Sequence, residues 1–438
     1  MIAVAGLLFV TLTGSIMLPD DEIRYANGTA DDTSKDSETS DTTIYSIDYD
    51  PNDGVITYGV VGTVGAGKEK DTNNNAYRGT KYKLFPSYYA TLKDNQGKLL
   101  FPDYEASPSY DYTEMLTYAI NQEANNAVSG RETYEIRVEE GVYYFGGALK
   151  VWGQFQLNGI YGKTVFVCNK NAEGALFKAG SNNTYYQGGS ITDITFVANG
   201  AHQTFKPTET AETIHGSVLD FDVQPVEEYA CFQGMNISWF TLKNCTFSGF
   251  YTPLKGVKGH MCSHIQNNTF GPCRVALDGL HFIDCFIHDN YFMGAPIKKD
   301  GHMDLPLFTT GIGPNLTTIN NNYIQNFFYG QGQSDTYGAA YTNNTYDRVY
   351  GIEFYSAGDA TNAVSQCLFK NNAYKDVAAF FESFGYTPYT LENTGENAYV
   401  IHALSYDHKD NLSGIAFNKV KDYNRAYIIH LAGGTTIT

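Results

Sequence analysis

Residues 284–295 read "DCFIHDNYFMGA", with apolar side chains on both sides of an Asp-Asn step that is followed by aromatics and a turn. Nearly the same phrase recurs along the chain: "ITDITF" (191–196), "LKNCTF" (242–247), "IQNNTF" (265–270), "IHDNYF" (287–292), "INNNYI" (319–324) and "FKNNAY" (369–374). The closing residues Phe196, Phe247, Phe270, Phe292, Ile324 and Tyr374 are separated by 51, 23, 22, 32 and 50 positions. Each interval is one coil of about 22–25 residues, two coils, or one coil with an insertion, and a repeat in this range marks a solenoid. Strand-forming composition without Leu-x-x-Leu patterns selects a parallel β-helix over a leucine-rich repeat. In such a coil each strand lies about 4.8 Å from its equivalent one turn earlier. Phe then stacks on Phe inside, and Asn at equivalent turns passes amide hydrogen bonds from coil to coil.

The rest of the 438-residue chain frames this repeat. Its 35 Tyr and 27 Phe, against 13 Pro, favour strands and tight turns. A formal net charge of −18 argues against a nucleic-acid partner, which requires a basic face. The same charge makes a polyanionic substrate awkward unless a local cationic patch or a bridging metal intervenes.

Residues 1–18, "MIAVAGLLFVTLTGSIML", have the apolar core and small trailing residues of a secretory signal, although the usual preceding Lys or Arg is missing. A membrane anchor and a buried segment are the other readings. No second run is long enough to span a membrane, so a secreted or cell-surface protein is expected. Residues 19–54 form an acidic low-complexity linker, 55–110 an N-terminal β segment, and 111–438 the β-helix. "GTVGAGKE" (62–69) approaches a phosphate-binding loop, but Glu69 replaces the magnesium-binding hydroxyl and repels phosphate. Residues 111–127 are the clearest helix, with Asp111 as N-cap, Glu114 as its capping-box partner, and Met115, Leu116, Ala119 and Ile120 on one apolar face.

The helix "TEMLTYAINQ", the strand "YEIRVEEGVYYF" and the step "LNGIYGKTVFV", followed by the coils, resemble the pectate-lyase-like right-handed parallel β-helix superfamily. The resemblance covers about residues 110–430 and implies an all-β solenoid with an N-terminal capping helix. It implies no single activity, because members include polysaccharide lyases, glycoside hydrolases, epimerases, fructotransferases and phage tailspikes. Homotrimers are common among them. The acidic blocks of polygalacturonases and the three-Asp calcium cluster of pectate lyases do not stand out here.

The window 251–310 holds five of the ten His (His260, His264, His281, His288 and His302) and balances five bases against five acids. Eight residues beyond the closing aromatics lie Lys255, Asp278 and Asp300, each followed by Gly, a line along three coils; "KG" and "DG" are equally what a turn requires. His260, His281 and His302, 21 residues apart, form a second line, with solvated surface as the plainer reading. Carboxylates on neighbouring coils suit the acid and nucleophile or base of a glycosidase. A lyase instead needs a base for the C5 proton and a cation, for which calcium would serve, to neutralise the uronate. No other cofactor is called for.

The reading is a secreted carbohydrate-active enzyme, lyase or hydrolase, acting on a polysaccharide or oligosaccharide. Asp278 and Asp300 are its acid/base or nucleophile pair, assisted by His281 and His302. Lys255, His260, Lys298, Lys299, Tyr337 and Arg348 are its substrate-binding residues. The alternative is a non-catalytic surface adhesin or tailspike-like glycan binder. Cys262 and Cys285 share a register that would permit a disulfide, although a stack of small buried side chains is favoured. Residues 328–350 read as a long loop rich in Tyr, Gly and Asn.

Overall fold

A computed structural model describes residues 42–50, 55–64, 81–105, 107, 109–128, 134–180, 185–200, 209–218, 224–260, 262–278, 281–295, 307–309, 312–327, 329–333, 338–349, 351–354, 368–375, 378–384, 389–391, 394–396, 399–405 and 425–431. Asp300, His302, Lys298, Lys299, Tyr337 and most of the phosphate-loop-like stretch lie outside these residues.

The chain winds as a right-handed parallel β-helix. In one coil, Thr241–Lys243, Thr246–Ser248, Phe250–Lys255 and Lys258–His260 follow in succession. Each pairs in parallel with its equivalent in the next coil: His264–Gln266, Thr269–Cys273, Leu277–Asp278 and His281–Ile283. Repetition builds a 13-stranded sheet, a 10-stranded sheet and two 5-stranded sheets along the axis. Two 3-stranded sheets lie among the later strands. Thr42–Asp50, in the stretch with linker composition, is a strand paired antiparallel with Val55–Val64. Among the described residues no helix is long and apolar enough to cross a membrane.

Register settles the uneven intervals. Phe196 pairs with Phe247, so their 51-residue interval is one coil carrying an excursion that includes the helix Ala211–Ser217. The 50-residue interval is two coils, because Ile324 pairs with Tyr346 and Tyr346 with Tyr374. The intermediate rung is "YTNNTY" (341–346), inside the stretch read as a loop. Its closing Tyr and its Tyr- and Asn-rich surroundings hide the repeat.

The motif's two polar letters do different work. Asn267, Asp289, Asn321, Asn343 and Asn371 take φ of +55°, +58°, +53°, +57° and +55°. That is the left-handed region which short polar side chains tolerate best among non-glycines. The following Asn points inward. Asn290 Nδ2 donates to the carbonyl of Ile265 one coil back (2.8 Å) and to Asn322 Oδ1 one coil on (3.0 Å). Asn322 repeats this with Ile287 and Asn344, and Asn344 with Ile319 and Asn372. These amides are buried, so the ladder satisfies polar groups that water does not reach. It begins at Asn268, whose Oδ1 accepts from the Cys245 amide, since Cys stands there in the coil before.

Aromatic stacking fills the centre. Ring centroids are 5.2 Å apart for Phe196–Phe247, 4.9 Å for Phe247–Phe270 and 5.0 Å for Phe270–Phe292, with planes within 9° of parallel. The helix Thr113–Val128 covers the N-terminal end with Met115, Leu116, Ala119 and Ile120 fully buried. Its Asn121 amide mimics a neighbouring strand, donating to the Lys150 carbonyl and accepting from the Trp152 amide. Asp111 accepts from the Thr113 amide and hydroxyl, one turn position earlier than a capping box with Glu114.

The cysteine register differs from expectation by one residue. Cys262 donates its amide to Asp284, so Asp284 is its neighbour, while Cys285 lies opposite Ser263. Cys262 is an exposed free thiol and Cys285 a buried one. Burial pushes Cys245 up to about 12 and Cys285 to about 11, and raises Cys168, Cys231 and Cys273 as well. Thiolate character governs attack on disulfide reagents. An aromatic disulfide reagent at pH near 8 is therefore expected to label Cys262 rapidly, and Cys262→Ser to remove one equivalent from the fast phase. An undiminished fast phase in that variant would contradict this placement.

Candidate functional site

The structure places Lys255 directly beside Asp278, and Gly256 donates its amide to the Asp278 carbonyl (2.6 Å). The line continues back through Gln233 and Lys178 to Lys150. The described part of the His line, His260 and His281, is out of register. Gly259 pairs with Phe282, which sets His260 opposite Ile283 and His281 opposite Lys258, a stagger of two residues. Partners here are 23 residues apart, as they are for Phe247–Phe270 and Lys255–Asp278, so histidines spaced 21 residues fall two positions short of alignment.

The four described histidines of the window divide into two pairs, and only His264 and His288 are seen to meet, with ring centroids 6.4 Å apart. His260 and His281 belong to a 5-stranded sheet, whereas His264 and His288 stand on the 13-stranded sheet. His264 stacks on Phe286 (4.8 Å, 12°), and burial followed by the His288 charge lowers its pKa. His288 Nδ1 meets Asp289 Oδ2 at 2.5 Å, and Asn321 donates to Asp289 Oδ1 (2.6 Å). Burial pushes Asp289 up, but these two hydrogen bonds outweigh it and hold the carboxyl below its ordinary range. Among the described residues no three His, Cys, Asp or Glu come together as metal ligands.

A more connected polar group lies on the outer face of the 10-stranded sheet. In Tyr291–Gly294, Tyr323–Gln325 and Thr345–Asp347 the inward residues are Phe292, Ile324 and Tyr346. Strand alternation turns the residues on either side outward. Three successive coils thus align Tyr291 with Tyr323, and Gln325 with Asp347. Tyr291 donates its hydroxyl to Gln325 Oε1 (2.6 Å), and Gln325 Nε2 donates to Asp347 Oδ2 (2.8 Å). Tyr323 donates to the same oxygen (2.8 Å), and the Arg348 guanidinium reaches it at 3.4 Å. Asp347 Oδ2 therefore collects three donors.

Burial of these groups is graded. The Asp347 side chain is 8% exposed and that of Arg348 54%, so a fixed acid lies under a solvent-facing cation. Tyr323 is 38% exposed. Burial, then the hydrogen bond to Asp347, pushes its phenol up to about 12, so it remains a donor at neutral pH. Burial raises Tyr291 too, partly offset by Arg348. Arg348 has φ of +52°, at the corner that Asn326 occupies one coil earlier with φ of +60°. A long cation where a short amide is the natural fit was a readable signal, but only with the 341–346 rung in place. Arg348 was anticipated as a binding residue; Tyr291, Tyr323 and Gln325 were not.

No protein-family model and no curated protein matches the chain. Among solved structures it is similar to the surface adhesin PfbA of Streptococcus pneumoniae, at 13% identity over 69% of this chain and 84% of that one, with a TM-score of 0.40. It is also similar to DFA-IIIase from Arthrobacter chlorophenolicus A6 in complex with DFA-III, at 11% identity over 74% and 81% of the two chains, with a TM-score of 0.45. A tailspike protein mutant of E. coli bacteriophage HK620 in complex with a hexasaccharide gives 11% identity over 80% of this chain and 63% of that one, with a TM-score of 0.43.

Proposed function

We propose that the protein acts outside the cell on a polysaccharide, holding an extended stretch across neighbouring coils and cleaving or rearranging its glycosidic bonds. The observation that carries this reading is the Tyr291–Gln325–Asp347 relay with Tyr323 and Arg348, which spans three coils on one face. Half-exposed phenol rings offer the apolar surface and hydroxyls that sugar faces require. The Arg348 guanidinium supplies a cation for a carboxylated or hydroxylated sugar within a chain of net charge −18. In this proposal Asp278 and Asp300 remain the acid/base or nucleophile pair, His281 and His302 assist, and Lys255, His260, Lys298, Lys299 and Tyr337 contact substrate. Calcium belongs to it only if the reaction is a lyase's.

The test is a panel of oligosaccharides scored for affinity, reducing-end release and unsaturated uronate. Tyr323→Ala and Asp347→Asn are expected to weaken binding at least tenfold. Asp278→Asn is expected to abolish product while leaving affinity within about fivefold, since one hydrogen-bond change there is worth about 1 kcal/mol or less in binding. A wild-type chain that binds no glycan would overturn the proposal. The non-catalytic reading is favoured by one feature: Asp347 Oδ2 is already shared by three donors, and among the described residues no second carboxylate joins the relay. Tight binding without product would select it.

A further inference from the structure

A cavity of about 650 Å³ opens at the N-terminal end of the solenoid, between the first coil, the segment around Pro86 and Tyr104, and the helix Ala211–Ser217. It lies far along the molecule from the Asp347 relay. In the 10-stranded sheet Gly141–Phe145 is the last strand at one end, and Thr345–Asp347 is third from the other.

Its back wall is aromatic. The Tyr112 and Tyr143 rings meet at 5.0 Å and 75°, and Tyr104 packs against Tyr112 at 6.3 Å. Four carboxylates line it, Glu139, Glu140, Glu209 and Glu212, against one base, Lys163. Glu139 is held in place: Ser87 donates to it from its hydroxyl (2.8 and 2.6 Å) and from its backbone amide (3.2 Å). Lys163 sits toward Glu140 at 3.5 Å, with both side chains at least half exposed, so this pair is weak and open to exchange. Burial first, and Glu139 among the neighbouring charges, raise the pKa of Tyr112 and Tyr143. The phenols therefore stay neutral, and the charge of the cavity is that of its carboxylates less one lysine.

A concave, aromatic-walled site with a carboxylate rim is complementary to a flexible organic cation: the rings take the aliphatic stem and the face of an ammonium, and the rim neutralises the charges. We propose that this cavity binds an aliphatic polyamine-type ligand, with ammonium groups at Glu139, Glu140 and Glu212 and methylenes against the half-buried Tyr104 ring, which the buried Tyr112 and Tyr143 support from behind. This site is independent of the glycan-directed reading.

Spermidine titrated calorimetrically into the full chain at moderate salt is the test. Saturable one-site binding is expected, weakened at least tenfold by Glu140→Gln combined with Glu212→Gln. Lys163→Gln, which removes the competing base, is expected to tighten it about threefold. Asp347→Asn should leave it unchanged. Absence of saturable binding would overturn the proposal. So would affinity insensitive to both rim substitutions, because spermidine would then merely be drawn to the acidic surface at large. Displacement by a neutral trisaccharide would reassign the cavity to sugar and equally overturn it. Circular dichroism of the exposed rim variants separates lost binding from lost fold.

Discussion

Asn344→Ala is expected to be the most damaging single change in the ladder, costing about 3–5 kcal/mol. The side chain makes four hydrogen bonds within a fully buried row. It donates to the Ile319 carbonyl and to Asn372 Oδ1, and accepts from the Asn322 amide and side chain. Alanine leaves the Ile319 carbonyl and the Asn322 amide without these partners in a place water does not reach, and each such group costs about 1–3 kcal/mol. The neighbouring Asn343 is the control. It also joins a ladder, donating to Asn320 and accepting from Asn371, but it is exposed. Solvent can replace its bonds, so Asn343→Ala should cost about 1 kcal/mol, including the left-handed backbone. Urea unfolding of the pair measures the difference. Equal midpoints would mean that the inner ladder is not the polar spine of the coil.

Phe270→Ala should cost about 3–5 kcal/mol, the usual range for truncating a buried Phe. Its ring is fully buried between Phe247 and Phe292, so the void opens on both neighbouring coils and neither ring can move into it without leaving its own partner. Phe270→Leu keeps most of the volume and should cost roughly 1–2 kcal/mol. Equilibrium unfolding of both variants decides this. An alanine variant no less stable than the leucine one would show that the column closes over its gaps.

Much of this architecture was legible because the β-helix writes one coil many times. The repeated aromatic predicted the Phe247, Phe270 and Phe292 stack, and the repeated Asn predicted an amide ladder. The periodic apolar face of 111–127 predicted the capping helix. The sequence did not separate the two polar letters of the motif, since a left-handed turn and an inward ladder both select short amides. It also left 341–346 unread, and with it the connection of Asp347 to Gln325 and Tyr323.

The chain by itself determined the parallel winding and the identity of the core column, because each follows from residue types summed over many repeats. Only the tertiary structure decided which side chains meet. Neighbours on adjacent coils are set by the length of every corner between them, and one residue more or less moves a partner along the strand. That is why Cys262 faces Asp284, and why Asp347, Gln325 and the two tyrosines, scattered over 57 positions, share one face.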